Sequence, residues 1–128
     1  MPISRRTALR AAAALALAEN VAGQQKTATY GLIGSIKAQT GKRDELASIL
    51  LESAADLPGC LSYVVAKDSK DADALWVTEV WESEAAHQAS LALPGVRAAI
   101  SKGRPLIAAF DQQHATEPIG GVGLKKER

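Results

Sequence analysis

Side chains able to move protons in an apolar setting concentrate in one stretch of this 128-residue chain, Leu75 to His87, which reads LWVTEVWESEAAH. Strand alternation puts Leu75, Val77, Glu79 and Trp81 on one face and Trp76, Thr78 and Val80 on the other. A carboxylate desolvated among such neighbours is a candidate general base, and Glu79 is the first catalytic candidate. The second is His87, of the residue type that most readily exchanges a proton near neutral pH, on the helix that leaves the strand. Tyr63 and Trp81 are substrate-binding candidates, as an aromatic wall or as donors to a substrate oxygen. Arg97 is a third, as a cation for an anionic intermediate. Each has a plainer reading: a structural carboxylate for Glu79, a packing histidine for His87, core packing for Trp81 and a helix-surface cation for Arg97. His114, near the end of the chain's last strand pattern, reads as exposed.

Other chemistries are poorly supplied. Cys60, His87 and His114 are too few and too scattered for a zinc site, so no metal is expected. Cys60 is the only cysteine, which rules out an intrachain disulfide. With 15 basic and 14 acidic residues there is no electrostatic case for nucleic acid. A hydrophobic share of 47% and a charged share of 23% suit one globular domain with a real core.

The elements that must position these groups follow from periodicity. Tyr30, Leu32, Gly34 and Ile36 alternate with Gly31, Ile33, Ser35 and Lys37 in a first strand over 29–38. A helix is expected from about Lys42 to Leu57, with Leu46, Ile49, Leu50, Ser53, Ala54 and Leu57 as its inward stripe. Pro58-Gly59 stops it. Cys60 to Lys67 is a second strand, with Leu61, Tyr63 and Val65 on one face and Cys60, Ser62 and Val64 on the other. The charged turn DSKDAD (68–73) makes strands two and three antiparallel neighbours. Ser83 caps a short helix to about Leu91, with Ala86 where a full capping box would carry Glu or Gln. Pro94 starts another helix, to about Lys102. Leu106 to Ala115 is a fourth strand, with Leu106, Ala108 and Phe110 on one face and Ile107 and Ala109 on the other.

The order strand, helix, strand, strand, helix, strand is the ferredoxin-like split βαβ arrangement, an α+β fold with helices on one face of a four-stranded antiparallel sheet. The opposite face is also apolar, and nothing in the chain remains to cover it. A homodimer with sheet facing sheet is the expected cover.

The ends differ from the domain at 29–116. Residues 1–18 carry Arg5-Arg6 ahead of the apolar run Ala11 to Ala18 and end in Ala16-Leu17-Ala18, similar to a twin-arginine export signal with Ala8 where Phe is usual. That run is too short to span a bilayer, which takes roughly 20 residues, so no stable membrane insertion is expected. An exported, periplasmic protein is the expectation, with a cytoplasmic one if residues 1–18 are not a signal. Residues 19–28 read as a linker and 117–128 as a Gly-rich tail, loose or reaching a partner.

Four motifs in order carry a family resemblance: Gly41-Lys42-Arg43-Asp44-Glu45-Leu46, Pro58-Gly59-Cys60-Leu61-Ser62-Tyr63, Glu79-Val80-Trp81-Glu82-Ser83, and Leu91 through Pro94. Together they resemble the antibiotic biosynthesis monooxygenase family, the dimeric α+β barrel proteins that include quinol monooxygenases, over roughly 29–110. The resemblance implies oxygenation of a quinol-like or polycyclic phenolic substrate by O2 with no metal, flavin or haem. It departs from the family's pattern at two positions that often carry histidine, here Ser90 and Gly95. Positions used by haem-degrading relatives fall on Gly34, Ser90 and Ile100, which disfavours haem degradation. A non-catalytic dimeric module that binds a small hydrophobic ligand, or is purely structural, is the alternative, and an isomerase using the same pocket without oxygen is a narrower one.

Overall fold

The structure is a computed structural model that describes residues 29–124. The expected leader (1–18) and linker (19–28) lie outside the described residues, as do the last four residues of the tail. Four strands, β1 (Tyr30–Ala38), β2 (Cys60–Lys67), β3 (Ala74–Trp81) and β4 (Ile107–Thr116), form one antiparallel sheet in the order β2-β3-β1-β4. Between them run α1 (Arg43–Ser53), α2 (Glu84–Ser90) and α3 (Pro94–Gly103), the last continuing into a 3-10 turn at Arg104–Leu106. This is the ferredoxin-like α+β fold, with three helices against one sheet face.

The core sits between α1 and the centre of the sheet. Ile36, Ala38, Leu46, Leu75 and Val77 form one buried cluster, with Leu46 and Leu75 fully sealed from solvent. Cross-strand register puts Leu32 opposite Glu79, Gly34 opposite Val77 and Ile36 opposite Leu75, so one row of β1 and one row of β3 share the helix-covered face. Gly103 then sets α3 against α1: a Cβ there would meet Leu46 Cδ1 at 3.4 Å.

Three local departures from simple alternation reposition side chains. A bulge at Leu61 brings Cys60 into register with Trp81, so Cys60 joins Tyr63 on the helix face instead of opposing it. Two irregularities in β4 skip Ala108 and Asp111, and Ile107 and Phe110 therefore both pair with helix-face residues, Ala38 and Ile36. Strict period-two alternation would put them on opposite faces. Finally, α1 ends at Ser53 rather than near Leu57. Its last turn tightens, with Ala54 N donating to Leu51 O and Ser53 Oγ donating to Leu50 O, and no basic residue supports its C-terminus.

The 68–73 turn is tied down on both sides. Asp68 Oδ1 accepts from the backbone N–H groups of Lys70 and Asp71, both at 2.8 Å, and its Oδ2 accepts from Trp76 Nε1 at 2.8 Å. From α1, Arg43 Nη1 donates to Asp71 O at 2.8 Å, and Lys37 pairs with the Asp71 carboxylate.

The other sheet face is uncovered within the chain. Ile33, Val64, Trp76 and Val80 lie along it, and Val64 is 52% exposed. Across one corner pass Thr116 and Pro118, close enough to Gly31 that no side chain fits there. Beyond them Ile119 and Val122 stand fully in solvent.

Candidate functional site

Glu79 and Trp81 are two residues apart on β3, hence on the same face, and the Trp81 Nε1–H donates to Glu79 Oε1 at 2.8 Å. Trp81 is 1% exposed, so its N–H had to find a partner, and the carboxylate supplies one. The chain then turns at once into α2. Ser83 holds an extended backbone and its Oγ accepts from Ala86 N at 3.1 Å, a side-chain cap of the expected kind. Gly59 fixes where that helix lies. Its φ of +83° makes the turn before β2, its carbonyl accepts from Glu82 N at 2.8 Å, and a Cβ on it would strike Ala86.

That placement brings His87 back over the strand it left. The imidazole meets the indole of Trp81 edge-on, with ring centroids 5.3 Å apart, and leans on the Tyr30 ring at 5.5 Å. Its Nδ1 is buried and has no hydrogen-bond partner. An unsatisfied buried nitrogen costs about 1–3 kcal/mol.

Tyr63 stands directly opposite Glu79 on β2. Burial, reinforced by the nearby Glu79 carboxylate, pushes its phenol well above the ordinary tyrosine value. The hydroxyl is therefore a donor across the whole working pH range.

These four residues line one cavity of about 750 Å³ between the sheet and the helices. Its walls are mostly apolar, from Leu32, Leu46, Ile49, Val77 and Ile100 among others. Among the described residues Glu79 is the only carboxylate on the lining, and Arg104 its only arginine or lysine. Arg97 lies outside that lining, exposed on α3. Sequence reasoning missed Tyr30, Arg104 and Gln113. Tyr30 is the one with a signal, since it pairs with Trp81 once the β1–β3 register is set.

The arrangement can bind a flat apolar molecule, donate to it from Tyr63, and accept a proton at His87 or Glu79. Among the described residues no three His, Cys, Asp or Glu side chains cluster as metal ligands. Gly34, Ser90 and Ile100 all line the cavity, yet glycine and isoleucine offer no donor atom, and Ser90 Oγ is engaged by His87 O at 2.6 Å.

Residues 29–102 match the model of the family described as antibiotic biosynthesis monooxygenase. A Chloroflexus aurantiacus J-10-fl protein provisionally named an antibiotic biosynthesis monooxygenase is 59% identical, over 75% of this chain and 98% of its own, with a TM-score of 0.74. A second protein so named, from Caulobacter crescentus CB15, is 21% identical over 81% of this chain and 99% of its own, with a TM-score of 0.67. SnoaB of Streptomyces nogalater, a cofactor-independent oxygenase, shares the fold at 16% identity and a TM-score of 0.63, over 75% and 98% of the two chains. Among curated proteins none matches. With the family model covering more than half of its length, the chain belongs to the antibiotic biosynthesis monooxygenase family.

Proposed function

We propose that this protein is a cofactor-independent monooxygenase that oxidises a quinol-like or polycyclic phenolic substrate with O2. The observation that carries the reading is the convergence of Glu79, Trp81, His87 and Tyr63 on one largely apolar cavity. Tyr63 donates to the substrate oxygen, and Trp81, buried in the cavity wall, holds Glu79 in place. His87, or Glu79 with one oxygen held by Trp81, takes the phenolic proton. The resulting anion passes an electron to O2, one oxygen atom enters the ring, and the other leaves as water. For a hydroquinone the products are a hydroxyquinone and one water, and the substrate supplies all the electrons. Desolvation by the apolar walls keeps the anion reactive and limits leakage of reduced oxygen.

The partner is a second copy of the chain, packed against the apolar sheet face that bears Ile33 and Val64. Export through residues 1–18 would place the protein in the periplasm, a compartment that fits quinol or redox-stress chemistry. A non-catalytic module that binds a small hydrophobic ligand is the second reading, favoured by Ser90 and Gly95 where relatives often carry histidine.

Oxygen uptake by the purified protein with a panel of hydroquinones and naphthalenediols tests the proposal. Protein-dependent uptake that survives a metal chelator, with a hydroxylated product, supports it. Uptake no greater than the blank across the panel moves the protein to the second reading.

A further inference from the structure

The rim of the cavity is both apolar and basic, and the proton chemistry uses neither property. Leu91, Ile100 and Phe110 line the cavity, yet they stand 41%, 40% and 59% exposed, so they edge its opening. Arg104 lines it too, with an exposed side chain, and continues the helical backbone of α3. Arg97, Ile100 and Arg104 are spaced by three and four residues, which puts them on one flank of that helix. Among the described residues neither arginine side chain makes an ion pair or hydrogen bond.

Charge is unevenly divided along the chain. From Ala85 to Phe110 there is no acidic residue, and the cations are Arg97, Lys102 and Arg104. The other described residues carry twelve acids against five lysines and arginines. Lys102 meets Glu52 only at 3.8 Å, with both side chains mostly exposed, and such a pair is weak. The positive side of an otherwise acidic domain is therefore the side on which the cavity opens. It belongs to the helix layer, so sheet-to-sheet pairing of two copies leaves it accessible.

We infer that this rim docks on an anionic lipid surface, with Leu91, Ile100 and Phe110 entering the headgroup region and Arg97 and Arg104 meeting lipid phosphates. Apolar side chains flanked by cations are what an interfacial contact requires, and each part alone binds weakly. Among the described residues no helix is long and apolar enough to cross a membrane, so the contact is peripheral. Docked in this way, the cavity opens toward lipid instead of water. Docking needs neither substrate nor turnover, so its failure leaves the oxygenation proposal where it stands.

The test is flotation of the full-length protein with vesicles of phosphatidylcholine, with or without an equal part of phosphatidylglycerol. The wild type is expected to float with the anionic vesicles and to be released by salt. Arg97→Gln and Arg104→Gln should each weaken the partition by about fivefold, the effect of one cation near such a surface. Phe110→Ser should weaken it at constant charge, and Lys70→Gln, on the 68–73 turn, should match the wild type. Residues 1–18 carry arginines and an apolar run of their own, so a positional readout is needed as well. An environment-sensitive fluorophore on Ile100→Cys should shift to the blue on the anionic vesicles, and one on Lys70→Cys should not. A wild type that stays in solution with both vesicles overturns the inference and leaves the rim to an acidic protein. Partition that is unchanged in both arginine variants, with no shift at Ile100→Cys, assigns the contact elsewhere and also overturns it.

Discussion

Trp81 Nε1 donates to Glu79 Oε1 at 2.8 Å, across two residues of one strand, while the same indole packs edge-on with His87 at 5.3 Å between centroids. The tryptophan thus links the carboxylate to the imidazole and fixes both relative to the cavity. An aliphatic residue at this position would leave Glu79 without its partner and His87 without its aromatic wall.

Trp81→Phe tests that linkage. The ring contact with His87 survives in part, but the bond to the carboxylate is lost. A charge-assisted hydrogen bond of this kind is worth about 1.5–3 kcal/mol, and the loss should appear in urea unfolding as a lower midpoint with an unchanged slope. Aromatic ligand affinity should fall as well. A midpoint equal to wild type would show that the Trp81–Glu79 bond contributes nothing.

Acid sensitivity should trace to the 68–73 turn. Three donors, led by Trp76 Nε1, hold the Asp68 carboxyl down from its ordinary 3.8 to about 2. A depressed carboxyl contributes stability that is complete above its unfolded value and is lost as pH falls through its folded one. Melting temperature should therefore drop between about pH 4 and pH 2, and the drop should be shallower in Asp68→Asn. Some acid dependence remains in that variant, because Asp71 is also lowered, by Lys37. Identical pH profiles for the two proteins would remove Asp68 from this account.

The open sheet face should govern assembly. Val64 stands on it, 52% exposed in the single chain. In a sheet-to-sheet dimer, Val64→Lys buries an unpaired ammonium, which costs several kcal/mol. Light scattering should then find a dimer for the wild type and a monomer for the variant, with circular dichroism unchanged. An intact, well-folded Val64→Lys dimer would place the interface elsewhere.

Most of the fold was legible because its signals are local. The second strand, the charged turn and the Ser83 cap depend on residues adjacent in the chain, and they lie where the sequence puts them. What escaped depends on partners distant in sequence. Bulges at Leu61, Ala108 and Asp111 arise from the register of neighbouring strands, so the facing of Cys60 and Phe110 could not be read from alternation alone. The site divides in the same way. Glu79, Trp81 and His87 meet because they share a strand and the helix that follows it. Arg97 and Arg104 could not be told apart, because the rotation of α3 is set by Gly103 against Leu46, a contact across 57 residues of chain.

If the Glu79–Trp81–His87 cavity performs oxygenation, oxygen uptake must depend on its proton-accepting side chains. Wild type, Glu79→Gln and His87→Ala are compared with the best hydroquinone, each first shown to fold by circular dichroism. Turnover is expected in the wild type, with a loss of about 10²-fold or more in at least one variant because a general base has been removed. Wild-type turnover that persists undiminished in both variants would contradict this assignment.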